Sequence, residues 1–286
     1  MKILSPAKIN LFLQVTGKRP DGYHELFSLM CCVTLFDTIF LRFDTEKIEI
    51  ESSHPQLPLD ETNLAHKAAA LFFKTLGAKE GVKITIGKSI PIAAGLGGGS
   101  SNAASVLRGL NHHFDFPFSR ERLMALGLSL GADVPFLLFQ KPALASGIGE
   151  KLEAYAGILP NCVVIVHPGF RVSTAEVFQN LNLRLTNCKK KITKPFLKKT
   201  DFNVSLHLCN DLEAVTVSKY PEINSIKGLL IEQGALGALM SGSGPTVFGL
   251  FSDQEEAGKA MQAIGRNPRW NAVLTEIIYK KNSVDL

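Results

Sequence analysis

The chain has 286 residues, 45% hydrophobic and 20% charged, with a net charge of +5, and its mean hydropathy is +0.13. That length can bury a sizeable core and favours two lobes, while the composition excludes a disordered chain. No apolar run approaches the roughly 18 residues of a membrane span, and the first residues lack a secretory or transit-peptide pattern, so a cytoplasmic protein is expected.

Ile3 to Val15 alternates as a strand, with Ile9, Leu11 and Leu13 on one face. Lys8 and Asn10 share the other face, because strand side chains alternate. Spacing alone leaves open whether they face solvent or form a polar pocket wall. Pro20-Asp21-Gly22 marks a turn. Tyr23 and His24 follow it and could hold a flat heterocycle by stacking and edge contact. Local sequence favours the plainer reading, a half-buried tyrosine and a surface histidine.

Thr38 to Phe43 and Lys47 to Ile50 read as strands. Asn63 is placed to cap a helix running through Leu76. Val82 to Ile86 alternates as a half-buried strand. The next segment is Pro91-Ile92-Ala93-Ala94-Gly95-Leu96-Gly97-Gly98-Gly99-Ser100-Ser101-Asn102. Four glycines in five residues leave the backbone N–H groups open to a ligand. A small-residue helix, expected from about Ser101 to Leu110, adds unpaired donors and a positive dipole end. Together they predict a phosphate site, with Ser100 and Ser101 as hydroxyls for a phosphate oxygen or a metal ion. No lysine follows the glycines, which excludes a Walker A loop, and Ser100 occupies the third-glycine position of a dinucleotide fingerprint. The plainer alternative is a flexible turn with a serine cap.

Ser119 can start a helix that stops near Gly131. Asp133 then stands in a tight, apolar-flanked turn before Phe136 to Phe139. It could cap the next element, or serve as a general base beside a cation such as Lys8. Turn signals at Gly147 and Gly149 precede a second lobe, in which Cys162 to Val166 reads as a buried strand. Ser241-Gly242-Ser243-Gly244-Pro245-Thr246 is a second glycine turn, suited to packing against a ligand or another glycine loop. Val247 to Phe251 and Val273 to Tyr279 read as strands around a helix from Gln254 to Ile264.

The five cysteines show no C-x-x-C spacing, which predicts reduced, mostly buried thiols rather than a disulfide framework or a zinc site. Cys31 and Cys32 are read as core. Seven basic residues and no acid lie between Arg184 and Lys199. Without them the chain would carry more acidic than basic side chains, so the excess charge is local. One aromatic, Phe196, interrupts the run, which favours a solvated connector over an RNA site.

Three segments resemble the motifs of the GHMP kinases in order and spacing: Pro6 to Leu11, Pro91 to Ala104, and Ser241 to Thr246. Arg19 to Glu25 and Gly131 to Pro135 are similar to the branch whose acceptor is a methylerythritol carrying a cytidine diphosphate group. The resemblance implies a two-lobed α+β fold. Residues 1–155 would form an ATP-binding lobe like domain 2 of ribosomal protein S5, and residues 156–286 a ferredoxin-like lobe. It implies phosphorylation of the acceptor's 2-hydroxyl by ATP with Mg²⁺. Asp133 would take the hydroxyl proton and Lys8 would hold and acidify that hydroxyl. The loop from Pro91 to Asn102 would bind ATP, with Ser101 as a metal contact. Tyr23 and Phe178 would sandwich the cytosine, His24 would read its edge, and Asn10 and Thr174 would line the acceptor pocket. Ala175 stands where family members often carry proline. A monomer or weak dimer is expected, with no nucleic-acid or membrane partner. The alternatives are another GHMP kinase, acting on mevalonate, homoserine or a sugar, and an RNA-binding protein on the S5-like fold.

Overall fold

The computed structural model describes residues 1–158, 162–182, 188, 192–199 and 202–279. Its frame is an antiparallel pair of long strands, β1 (Lys2–Lys18) and β2 (His24–Arg42). The turn between them is clamped by Arg19 on Asp21 and Glu25. The expected strand at Thr38 is thus the far end of β2. Its outer part pairs with β4 (Val82–Gly87), which pairs in parallel with β3 (Ile48–Glu51). The inner part of β2 pairs with β5 (Ala143–Gly147), followed by β6 (Lys151–Ala154). These two strands were not legible in the sequence, because they are short and lack an alternating pattern.

Helix α1 (Leu64–Leu76) begins where Asn63 accepts from the Ala65 N–H and ends at left-handed Gly77, as side-chain capping predicts. Helix α2 (Gly98–His113) starts three residues earlier than its small-residue run suggested. Helix α3 (Arg120–Leu130) is capped by Ser119, and the Phe136 run lies in a short helix, α4 (Val134–Phe139). These helices cover one face of the first sheet: Met30, Cys32 and Ile84 pack with Phe72, Leu107 and Phe136.

The second sheet has the order β11 (Asn271–Glu276), β7 (Cys162–His167), β10 (Val247–Phe251), β9 (Gly237–Met240), every pair antiparallel. With α9 (Glu222–Glu232) before β9 and α10 (Gln254–Ile264) before β11, this is the ferredoxin-like arrangement. Both faces of β7 are buried. Val163 and Ile165 meet Ile9, Leu11 and Cys31 of the first sheet, while Val164 and Val166 meet Ile226 and Ile264 of the helices. The chain therefore stacks as helices, sheet, sheet, helices.

One register shift matters for function. Between Asn10 and Phe12 a bulge inserts a residue into β1. Ile9 and Leu11 stay in the core between the sheets, but Leu13, expected on their face, leaves it for a separate apolar cluster with Val172 and Leu212. A bulge re-aims the side chains that follow it.

The expectation that the cysteines stay reduced is overturned at two positions. Short helices α5 (Thr174–Gln179), α6 (Lys194–Lys199) and α7 (Val204–His207) lead to β8 (Cys209–Asn210), which pairs in parallel with Phe12 and Leu13 of β1 and is followed by α8 (Glu213–Lys219). There Cys209 forms a disulfide with Cys188, with Cα atoms 5.4 Å apart. Asp211 holds the approach by accepting from the N–H groups of Cys188 and Val15. Sequence spacing could not reveal a pair assembled by strand pairing and a side-chain clamp. Of the basic stretch, Lys194 pairs with Glu153, whereas Arg184 and Lys189, Lys190 and Lys191 lie outside the described residues. Among the described residues no helix is long and apolar enough to cross a membrane.

Candidate active site

A cleft of about 1080 Å³ is lined by β1, the β1–β2 turn, the glycine loop, the start of α4 and the start of α5. Lys8, Asn10, Tyr23, His24, Asp133, Thr174 and Phe178 all line it. The structure thus gathers residues that are up to 170 positions apart in the sequence.

At its centre the Lys8 ammonium lies 3.7 Å from Asp133 Oδ2. Lys8 donates to Asn10 Oδ1 at 2.7 Å, Asn10 donates through Nδ2 to Ser28 Oγ, and Ser28 donates to the Phe12 carbonyl. This chain of bonds fixes a side chain that is only 5% exposed. Asp133 occupies the cap position of α4, yet its carboxylate makes no capping bond. The capping alternative is therefore not the arrangement adopted. The carboxylate is 39% exposed and faces the cleft beside Lys8. Thr174 Oγ1 is hydrogen-bonded to Ser243 Oγ at 2.8 Å, which ties α5 to the second glycine turn. In the sequence Ser243 carries no signal beyond its place in that turn.

The glycine loop adopts the expected form. Gly97 caps α2 in a left-handed conformation with φ +69°. The Ser101 N–H is the first to find a helical partner, the Gly97 carbonyl. Gly98, Gly99 and Ser100 thus present the orphan donors of the first turn, and all three line the cleft. Gly95, at φ +78°, lies against the second glycine turn: a Cβ there would stand 2.2 Å from the Ser241 carbonyl oxygen. Ser241 Oγ donates to the Gly95 carbonyl at 3.0 Å. The two glycine motifs hold one another, with Lys8 beneath them.

Three loop residues do not face the cleft. Leu96 is buried between the sheets. Asn102 donates to Asp37 and Ser5, and Ser101 is buried with its hydroxyl bonded to Ser5 Oγ. The metal contact expected at Ser101 is therefore not available. Once α2 begins at Gly98 rather than Ser101, helical rotation turns Ser101 inward and leaves Ser100 on the cleft.

Below the loop, Asp37 is wholly buried. It accepts from Lys88 Nζ, from the Ser89 and Ile90 N–H groups at 2.8 Å each, and from Asn102. Burial pulls the Lys88 pKa down, with Asp37 opposing it. Neither residue was legible as a site component, although Lys88 lines the cleft together with Leu57 and Leu64. At the opposite end, the Phe178 ring stacks on His24, with centroids 5.2 Å apart. Tyr23 is 58% exposed at the rim. The ring facing Phe178 is thus His24, not Tyr23, because β2 begins at His24 and turns that side chain inward. Burial, with help from Lys18, lowers the His24 pKa below its ordinary 6.5, so the ring is neutral at physiological pH.

The models for the N-terminal and C-terminal domains of GHMP kinases match residues 63–141 and 197–269. A 4-diphosphocytidyl-2-C-methyl-D-erythritol kinase of Syntrophotalea carbinolica is 47% identical over 274 residues, covering 96% of this chain and 97% of that protein. The kinase of the same name from Clostridioides difficile is 45% identical, covering 90% and 88%. A crystal structure of 4-(cytidine 5'-diphospho)-2C-methyl-D-erythritol kinase superposes with a TM-score of 0.81 at 33% identity, covering 97% of this chain and 99% of that one. Methanococcus jannaschii mevalonate kinase, at 16% identity and TM-score 0.72, shares the fold alone. With the Lys8–Asp133 pair, a glycine loop opening a helix and a two-sheet frame already in place, these matches settle the family: the chain is a GHMP kinase of the 4-diphosphocytidyl-2-C-methyl-D-erythritol kinase group.

Proposed function

We propose that the chain transfers the γ-phosphoryl group of ATP to the 2-hydroxyl of 4-diphosphocytidyl-2-C-methyl-D-erythritol, releasing ADP and the 2-phosphate. The observation that supports this reading is the meeting of Lys8 and Asp133 beside the three orphan N–H donors of α2.

The N–H groups of Gly98, Gly99 and Ser100 cradle the phosphates, and the dipole of the 16-residue helix behind them favours the anion. Leu57, Leu64 and Ile92 form the apolar wall for the adenine, on the side of the loop where Lys88 lies. The acceptor hydroxyl sits between Lys8 and Asp133. Lys8 donates to it and stabilises its developing negative charge, and Asp133 Oδ2 takes its proton as phosphoryl transfer proceeds. Asn10 keeps the ammonium aimed. At the far end His24 and Phe178 hold the cytosine, the neutral imidazole reading its edge and Phe178 its face.

Mg²⁺ fits the site as an ion carried on the nucleotide. Among the described residues no group of three or more histidines, cysteines or carboxylates could hold it. Such an ion takes one or two protein oxygens and the remainder from phosphates and water. Ser100 is the cleft residue whose hydroxyl would hold it, and its chemistry there would be neutralisation of phosphate charge.

The test is ADP release by the purified protein with ATP and Mg²⁺, comparing the cytidylylated acceptor with mevalonate, homoserine and galactose. Turnover restricted to the cytidylylated acceptor is expected. Turnover with one of the others instead would remove the cytosine role of His24 and Phe178.

A further inference from the structure

The turn from Ser241 to Gly244 touches three parts of the active site. Ser241 donates to the Gly95 carbonyl of the phosphate loop. Ser243 is bonded to Thr174 on α5. Gly242 lies against the cation: a Cβ built on it would stand 3.4 Å from Lys8 Nζ, 3.5 Å from Asn10 Oδ1 and 3.3 Å from the Gly95 carbonyl oxygen. Its φ of +58° is left-handed, so the chain brings bare backbone up to the ammonium here. The position of this turn therefore decides how much room Lys8 has beside Asp133.

Three buried side chains hold the turn by its backbone. All come from β8 and α8, and none lines the cleft. Asn210 donates through Nδ2 to the Met240 carbonyl at 2.8 Å and to the Gly242 carbonyl at 2.7 Å, and its Oδ1 accepts from the Leu212 N–H at 3.0 Å. The amide has one workable orientation, because turning it over would set its oxygen against two carbonyl oxygens. Glu213 accepts from the Met240 N–H at 3.0 Å and is neutralised by Lys227 at 2.6 Å. Thr216 donates to the Ser243 carbonyl at 3.1 Å. Met240, Gly242 and Ser243 are thus each gripped from the segment 210–216. The segment is itself anchored, since β8 pairs with Phe12 and Leu13 of β1 and Cys209 is cross-linked to Cys188. A buried polar network with its bonds satisfied makes rigid what it holds.

We propose that Asn210 is a positioning residue for phosphoryl transfer: by holding the Gly242 carbonyl it keeps the second glycine turn against Lys8, with Thr216 as its support at Ser243. Asn210 touches neither substrate. Its effect falls on the placement of the Lys8 ammonium, and so rests on the part that Lys8 plays in the proposed function. Misplacing a catalytic group by about 1 Å from a remote site can cost about 10²-fold in rate.

A double-mutant cycle on the full chain tests this, with ATP and the acceptor that the wild type turns over. Asn210→Asp keeps the shape of the side chain but sets a carboxylate oxygen against the Met240 and Gly242 carbonyls. It is expected to lower kcat at least about tenfold, with both KM values held within about threefold. In the Lys8→Ala background the same substitution should lower the residual rate by less than about threefold, because no ammonium is left to misplace. Thr216→Val, which removes the bond to Ser243, should also lower kcat, whereas Thr216→Ser, which keeps the hydroxyl, should not. If Asn210→Asp fails to fold, the cycle is run with Thr216→Val in its place. The proposal is overturned by an unchanged kcat, by a loss confined to KM, or by an equal loss in the wild-type and Lys8→Ala backgrounds. An equal loss with Lys8→Ala itself impaired leaves the role of Lys8 standing; near-normal turnover in Lys8→Ala overturns both.

Discussion

Lys8 and Asp133, 125 positions apart in the chain, stand 3.7 Å from one another with Lys8 bonded to Asn10 rather than to Asp133. The ammonium is held from behind, and the carboxylate, free of any capping duty, is open to the cleft. Replacing either group should therefore impair chemistry more than folding. Lys8→Ala and Asp133→Asn are each expected to lower kcat by about 10²–10⁴-fold. Steady-state kinetics alongside melting curves checks this, and near-normal turnover in both variants would reject the assignment.

His24 should act on the acceptor alone. Loss of its edge hydrogen bond and of its stack on Phe178 predicts a KM for the cytidylylated acceptor raised about tenfold in His24→Ala. The KM for ATP should not move, since His24 lies at the opposite end of the cleft from Leu57 and Leu64. An equal rise in both constants would place His24 in a different role.

Gly95 should tolerate no side chain. Its φ of +78° disfavours any other residue, and a Cβ would meet the Ser241 backbone oxygen at 2.2 Å. Gly95→Ala is expected to cost at least about 2 kcal/mol of stability and to raise the KM for ATP by parting the two glycine turns. Gly99→Ala is the contrast: its Cβ would meet only the Leu64 side chain at 3.5 Å, so denaturant unfolding should find its stability close to wild type.

Asp37 should be indispensable to the floor of the loop. Asp37→Asn leaves the buried Lys88 ammonium without its counter-charge, a loss of about 3–5 kcal/mol. Urea titration measures it. Replacing both residues, as Asp37→Asn with Lys88→Met, should recover part of the loss; no recovery would mean that Asp37 acts mainly through the Ser89 and Ile90 N–H groups.

The thiols offer a count. Burial lifts Cys32 to about 12 and Cys31 well above its ordinary value, so both should resist a thiol reagent at pH 8 in the native protein. Cys162 is half-buried, with its pKa raised by burial and by Glu276 and Asp253, and should react slowly. In denaturant three thiols should react without reductant and five after reduction. Five without reductant would disprove the Cys188–Cys209 bond.

Much of this was legible in the chain. Local signals placed Asn63, Ser119 and the Gln254 to Ile264 helix correctly, because capping and amphipathic periodicity act within a few residues. The glycine loop was legible as a turn with open N–H groups at a helix start, because glycine density and a following helix are both local properties. Strands β5 and β6 stayed hidden because each is held by its partner rather than by its own pattern. The inward turn of Ser101, the departure of Leu13 from its expected face and the stacking of His24 on Phe178 each depend on one residue of register. Register is set by where a helix starts or a strand bulges.

By itself, then, the sequence determined the motifs, the two-lobed α+β class and the residue types that phosphoryl transfer needs. Tertiary structure alone decided that Lys8 and Asp133 meet, that Ser100 rather than Ser101 faces the cleft, and that Cys188 finds Cys209. The physical reason is common to all three. Each is a matter of ångströms between segments that are remote in sequence or of the rotation of one element, and both are fixed only when the two sheets pack and the glycine turns lock together.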